Sequence, residues 1–298
     1  PATVERFDRE AKIACSLSHP NIVEGIASGS VKNLHFYAME LVVGESIADM
    51  LKRKGRLDSD WTLKVMWDVA QGLFGAHQAG LIHRDVKPHN LLIDREGVVK
   101  LCDLGLARSQ EDRAVDGANA PEGTPFYMSP EQVTCDRTID ARTDIYSLGA
   151  TGYHMVTGSP PYKADRRSRV MRMHVDADLI PVRTRHPGAS RHIAAVIEKC
   201  LRKDPGDRYQ SMEELAMDLH EVQEGRVPKA FTERRVSPKP KAKKASRRIS
   251  SRRVAAKPAP RPDADAHEAE TRTDVAPVVA PTPKLPVAPS RAKNTTPK

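Results

Sequence analysis

Cysteine is scarce in this chain. Four residues, Cys15, Cys102, Cys135 and Cys200, stand too far apart for the paired ligands of a zinc site or for a disulfide framework. That usage suits a reducing compartment, so a cytoplasmic location is expected. No charged and apolar leader opens the sequence, and no apolar run approaches the ~18 residues of a membrane helix. Membrane association would then need a spanning segment beyond Lys298. The chain opens on Pro1 rather than Met, and an incomplete sequence is the expectation.

Apolar periodicity is missing from Arg226 onward, where Pro, Ala, Lys, Arg and Ser dominate. Between Arg226 and Arg261 there are 14 Lys and Arg against one acid, Glu233. From Pro262 to Lys298 five acids balance five bases, which leaves residues 1–225 at −4 of the chain's +9. The basic character thus belongs to the tail. Such a stretch cannot bury enough apolar surface to offset chain entropy, so residues 226–298 are expected to be disordered. It is a solvated linker or a contact with an anionic surface or membrane. Interleaved aromatics for base stacking are absent, and specific nucleic-acid binding is not expected.

What is present lies in the first 225 residues, which hold enough aliphatic side chains for one substantial core. Phe7, Ile13, Ala14 and Leu17 share one face of a helix predicted over 5–18. Strands are predicted over 22–28 and 34–43, joined by a polar turn from Ser28 to Asn33. A helix capped by Asp58 or Ser59 follows through Gly75, with Leu63, Met66, Ala70 and Leu73 at helical spacing. Leu91–Ile93 and Val98–Leu101 are short strands around an Asp-Arg-Glu-Gly turn. The rest is mostly helical, and Ser211 with Glu214 has the pattern of a capping box.

The loops around that second hairpin carry the chemistry. His83-Arg84-Asp85-Val86-Lys87-Pro88-His89-Asn90 precedes it, and Asp103-Leu104-Gly105 follows it. Transfer of a metal-bound phosphoryl group needs such a set. Asp85 can accept a hydroxyl proton, Lys87 can neutralise phosphate charge, and Asn90 and Asp103 can hold Mg²⁺. Downstream comes Gly123-Thr124-Pro125-Phe126-Tyr127-Met128-Ser129-Pro130-Glu131, then Asp144-Ile145-Tyr146-Ser147-Leu148-Gly149.

This ordered series resembles the eukaryotic-type (Hanks-type) serine/threonine protein kinases, most closely their bacterial members. The resemblance implies an α+β, two-lobed fold with residues 1–42 as small lobe and hinge and 43–225 as large lobe. It implies ATP and Mg²⁺ as cofactors and protein serine or threonine hydroxyls as substrate. Glu10 matches the ion-pair glutamate, Met39 the gatekeeper, and Glu40 through Val42 the hinge that meets adenine. Leu92 matches the residue beneath the adenine ring, and plain core is an equal reading of it. Lys87, two residues after Asp85, favours the serine/threonine branch, and Leu104 replaces the usual phenylalanine after the metal-binding aspartate. The resemblance gives Thr124 contacts to Asp85 and Lys87, Glu131 a buried pair with Arg208, and Asp144 the backbone of the Asp85 loop.

Two departures stand out. The family's glycine-rich loop and strand lysine belong upstream of Glu10, where only nine residues stand. The expectation is therefore an N-terminally incomplete kinase domain, with a non-catalytic kinase-like binding module as the alternative. Second, His89 and His154 occupy positions where arginine-directed kinases carry acids, so little selection for substrate arginine is expected, including at Ser237 and Ser250. Arg84 would read a phosphate on the following segment. With Ser109 the one hydroxyl between Leu106 and Glu122, Glu122 or Asp116 is expected to substitute for it. His19, His77, His186 and His192 have no partner at useful spacing and are expected in surface or capping roles. Cys102, beside Asp103, is expected to be an inert buried thiol or a site that a nucleotide-like electrophile could label.

Overall fold

A computed structural model describes residues 11–32, 34–104, 125–136 and 139–233. Helical residues 11–16 (α1) bury Ala11 and Ala14, with Ile13 and Leu17 partly buried against the core. Strands β1 (Gly25–Val31) and β2 (Leu34–Met39) form an antiparallel hairpin in which Val31 faces Leu34. The strand runs through the serines assigned above to the turn. The reversal falls instead at Lys32, whose φ of 53° lies in the left-handed region. Ser28–Ser30 fit a strand because the faces of this hairpin are largely exposed or half-buried.

Strand β3 (Gly44–Ser46) leads into helix α2 (Ile47–Lys54), capped by the Ser46 hydroxyl accepting from Asp49 N–H. Helix α3 (Ser59–Gln78) starts at Asp58, whose carboxylate accepts from Trp61 N–H at 2.8 Å. Its buried positions include Val65, Met66, Val69, Leu73 and Ala76, the stripe expected of a core helix. Strands β4 (Leu91–Asp94) and β5 (Val99–Leu101) complete a three-stranded sheet in the order β3-β4-β5.

The segment at His19–Val23 is pinned to the edge of that sheet. Leu101 N–H donates to Asn21 C=O and Val23 N–H to Leu101 C=O, both at 2.9 Å. His19 Nδ1 accepts from Asn21 N–H at 3.0 Å, a local turn contact. Gly72 in α3 permits this approach, since a Cβ there would sit 2.7 Å from the Asn21 carbonyl oxygen.

The larger, helical part comprises α4 (Pro130–Val133), α5 (Arg142–Thr157), α6 (Arg167–Asp176), α7 (Val182–Arg185), α8 (Arg191–Cys200), α9 (Met212–Gln223) and α10 (Lys229–Glu233). Helix α5 is buried almost all round, from Thr143 through Tyr153. It packs on α3 and α8 and so carries its polar residues into the core. Among the described residues no helix is long and apolar enough to cross a membrane.

Two local readings change. Ser211 caps α9 by accepting from Glu214 N–H, but Glu214 returns its carboxylate to Gln210 N–H at 2.7 Å rather than to Ser211. The full reciprocal box belongs to Ser129 and Gln132 at the start of α4. Residues 226–233, assigned by composition to the tail, include α10. Asp218, buried in α9, accepts from the N–H groups of Lys229 (2.8 Å) and Ala230 (2.9 Å) and buries Ala230. Capping by a buried carboxylate outweighs the poor local composition. The remainder of the tail lies outside the described residues, with Ser237 and Ser250.

Candidate active site

The loop from Leu81 to Lys87 has no regular structure, and its shape is set by the helix beneath it. Asp144 in α5 is fully buried and accepts three hydrogen bonds. They come from His83 N–H (2.9 Å), Arg84 N–H (2.7 Å) and His77 Nε2 (2.8 Å). Burial pushes the Asp144 carboxyl up, but the His77 hydrogen bond and the nearby histidines outweigh it and hold it below the usual carboxylate range. His77 is therefore a partner of the loop anchor, not a surface residue. Its distance of 67 positions from Asp144 hid the pair from sequence reading.

Arg84 has φ 64°, a strained conformation for a side-chain-bearing residue. Both sides of its peptide plane are tied down, with Arg84 C=O accepting from Gln132 Nε2 at 2.7 Å. Gln132 thus links α4 to the loop, a role its sequence position did not signal. Fully buried His83 accepts from Asp85 N–H on Nδ1 at 3.2 Å, so its Nε2 carries the proton donated to Cys102 C=O at 2.9 Å. Cys102 N–H donates to Asn90 C=O at 3.0 Å, joining the loops before β4 and after β5. Thr151 in α5 reaches the Val86 carbonyl at 3.4 Å.

On this frame Asp85, Lys87 and Asn90 come together. Lys87 Nζ lies 2.5 Å and Asn90 Nδ2 3.2 Å from Asp85 Oδ2, and Asn90 Nδ2 also donates to Asp85 C=O at 2.9 Å. Oδ1 of Asp85 has no partner among the described residues, and the side chain is 32 % exposed. Asn90 is buried, which fixes its amide with the oxygen turned away from Asp85. Asp103 is exposed, has φ 63°, and lies within electrostatic reach of Tyr37 in β2 and of the Cys102 thiol.

Met39 ends β2, half-buried. Glu40 N–H donates to Glu24 C=O at 2.9 Å, and the Glu40 carboxylate holds Lys100 at 2.6 Å and Glu24 N–H at 2.9 Å. Burial, the largest single influence, raises the Glu40 carboxyl, but the bonds to Lys100 and Glu24 together outweigh it, for a net depression. Neither backbone group of half-buried Val42 has a partner among the described residues. Leu92, half-buried in β4, pairs with Ser46 and Lys100. Glu10, Thr124 and the stretch from Leu106 to Glu122 lie outside the described residues.

The supporting pair is formed. Arg208 NH1 and NH2 reach Glu131 Oε1 and Oε2 at 2.7 and 2.8 Å, both residues being buried. Thr143 donates to the same carboxylate at 2.8 Å. Cys102 is 9 % exposed, and burial and the adjacent Asp103 push its thiol up to about 12. The thiol is protonated at neutral pH and correspondingly unreactive.

The sequence matches the family model for the protein kinase domain over residues 2–219. It is 40 % identical over 235 residues to the serine/threonine-protein kinase PknB of Mycobacterium leprae, covering 77 % of this chain and 38 % of that protein. Against the PknB of Mycobacterium tuberculosis the identity is 39 %, with the same coverage of each. It is 37 % identical over 219 residues to a probable serine/threonine-protein kinase of Clostridium perfringens, covering 74 % of this chain and 32 % of that one. The chain therefore spans less than two-fifths of the length of these relatives.

Proposed function

This chain belongs to the protein kinase family, and from that premise we propose that it transfers the γ-phosphoryl group of ATP to serine and threonine hydroxyls of proteins. The observation that carries the reading is the cluster of Asp85, Lys87 and Asn90 on a loop whose backbone is held by Asp144. A purely structural loop has no need of a half-exposed carboxylate paired with an ammonium. Phosphoryl transfer depends chiefly on positioning and charge stabilisation, and a rigid loop provides the first.

Asp85 receives the substrate hydroxyl on Oδ1, the oxygen without a partner among the described residues, orients it and takes its proton. Lys87, held at the other oxygen, stabilises charge on the group in transit. The oxygens of Asn90 and Asp103 suit Mg²⁺, which takes few carboxylates and leaves room for water and phosphate. The orientation of the Asn90 amide, with nitrogen on Asp85, supports this fit because it directs the oxygen elsewhere. When bound, the metal neutralises phosphate charge. Val42, whose backbone N–H and C=O have no partner among the described residues, offers both to adenine, while Met39, Glu40 and Leu92 frame that end. Glu10 takes its place in the nucleotide site by resemblance alone.

Radiolabelled phosphoryl transfer by the full-length protein tests this. Asp103→Ala is expected to abolish it, and Asp85→Ala to slow it by about 10²–10⁴-fold. Turnover by Asp103→Ala comparable with the parent would overturn the assignment.

A further inference from the structure

Three arginines of helix α6 and its N-cap form no salt bridge among the described residues. Arg166, at the N-cap, and Arg169 and Arg172, within the helix, are all exposed. Spacing of three residues keeps them on neighbouring parts of one face, with about 4.5 Å of rise between successive positions. Among the described residues no carboxylate pairs with any of these guanidinium groups, whereas Arg53, Arg142 and Arg226 each hold one. With Ser168 and Asp165 they line a depression of about 600 Å³. Asp165, also in the lining, forms no salt bridge among the described residues.

The place of this face in the fold gives it a direction. Helix α6 packs against Pro125–Tyr127 and against α4, the elements that adjoin the Asp85 loop through Gln132. Tyr127 OH and His154 Nδ1 meet at 2.7 Å. Burial, with His89 and Lys163 nearby, lowers the His154 ring to about 4, so it is neutral at physiological pH. Among the described residues no carboxylate pairs with His154, and exposed His89 and Lys163 lie within its electrostatic reach. The positive character comes from Lys163 and the arginines.

We propose that Arg166, Arg169 and Arg172 form a docking surface for an acidic segment of a protein substrate, bound through carboxylate–guanidinium pairs. Arg provides planar, paired donors that match carboxylates in geometry as well as charge. An extended acidic segment repeats same-side carboxylates every ~6.6 Å, compatible with a guanidinium row whose long side chains adjust. A concave depression suits one such chain better than a flat bilayer surface. The arginine face has no interleaved exposed aromatic for base stacking. The consequence for substrate choice rests on the phosphotransfer reading. The binding itself does not.

Fluorescence anisotropy of a labelled peptide alternating Glu and Asp around one threonine, titrated with this chain without nucleotide, tests the surface. The variant carries Arg166→Gln, Arg169→Gln and Arg172→Gln, all exposed, with folding checked by thermal melting. The basic segment from Arg226 to Arg261 is present in both proteins and cancels. The variant is expected to bind roughly tenfold more weakly at low salt, the difference shrinking as salt rises. Should the triple variant melt early, Arg169→Gln and Arg172→Gln singly are expected to show smaller losses in the same direction. Affinity unchanged within about twofold, or equal binding of the Gln and Asn version of the peptide, overturns the proposal. So does a loss confined to phosphatidylserine vesicles with peptide binding intact. In the full-length enzyme the variant is expected to raise KM for the acidic peptide and leave kcat unchanged. Peptide binding without phosphoryl transfer would instead sink the kinase reading and leave the docking surface standing.

Discussion

His77 and Asp144 meet at 2.8 Å in the core, one from α3 and the other from α5. The bond makes the shape of the Asp85 loop depend on how two core helices pack. Asp144 spends its other acceptor capacity on the N–H groups of His83 and Arg84.

Asp144→Asn should therefore do more than remove a charge. The amide can accept at one oxygen only, so at least one loop N–H loses its partner and the amide nitrogen meets other donors. We expect a loss of about 3 kcal/mol in urea unfolding and a larger proportional loss of phosphoryl transfer. The Asp144 carboxyl is depressed in the fold, so its contribution is fully present above the ordinary carboxylate value and fades as pH falls through its lower folded value. The deficit should thus be constant between about pH 5 and 7. A variant as stable as the parent would refute the anchoring role.

Glu131 and Arg208 form a buried, two-pronged pair, with Arg208 also donating to the carbonyls of Arg142, Arg202 and Lys203. Glu131→Ala leaves a buried guanidinium without its carboxylate, and about 3–5 kcal/mol should be lost. Arg208→Met together with Glu131→Ala should cost less than the two changes added. A double-mutant cycle in urea checks this, and strict additivity would show that the pair is not coupled.

Much of this frame was legible in the sequence because it lies in contiguous or regularly spaced residues. The run from His83 to Asn90 located the site, and helical spacing of Met66, Ala70 and Leu73 located the helix beneath it. What escaped are contacts made by side chains far apart in the chain. Gln132 on Arg84 C=O, His77 on Asp144 and Tyr127 on His154 have no local signature. The hairpin turn was misplaced because Ser28 to Ser30 are polar, although half-exposed strands accept polar residues. Helix α10 was missed for a similar reason, since its N-terminal cap, Asp218, sits in the preceding helix.

Cysteine reactivity should follow exposure and not proximity to the site. Cys135 is exposed, Cys15 half-buried, and Cys102 and Cys200 buried, with burial first among the causes that raise both buried thiols. Iodoacetamide at neutral pH is expected to label Cys135 first and Cys102 only after unfolding. Mass spectrometry finding Cys102 modified as fast as Cys135 in the folded chain would contradict this, and would restore it as a target for nucleotide-like electrophiles.

Two histidines that meet tyrosine hydroxyls, His154 in α5 and His174 in α6, should fail to titrate in the physiological range. His154 is lowered to about 4 by burial and by neighbouring His89 and Lys163. His174, fully buried, accepts from or donates to Tyr146 OH at 2.9 Å and is lowered to about 3, with burial first and Lys203 second. In the unfolded chain both rings take up a proton near 6.5, the ordinary histidine value. The unfolded state then binds more protons than the fold between that value and the lowered ones, so stability must fall as pH drops through this window. Ring proton shifts followed by NMR should stay constant for both residues down to about pH 5. His154→Gln should keep a side chain able to meet Tyr127 yet flatten the acid side of the stability profile. If His154 instead titrated near 6.5, its ring would be charged at mildly acidic pH and the Tyr127 contact would need the opposite donor arrangement. A His154 ring silent in the NMR titration is the outcome expected of an imidazole buried in its neutral form.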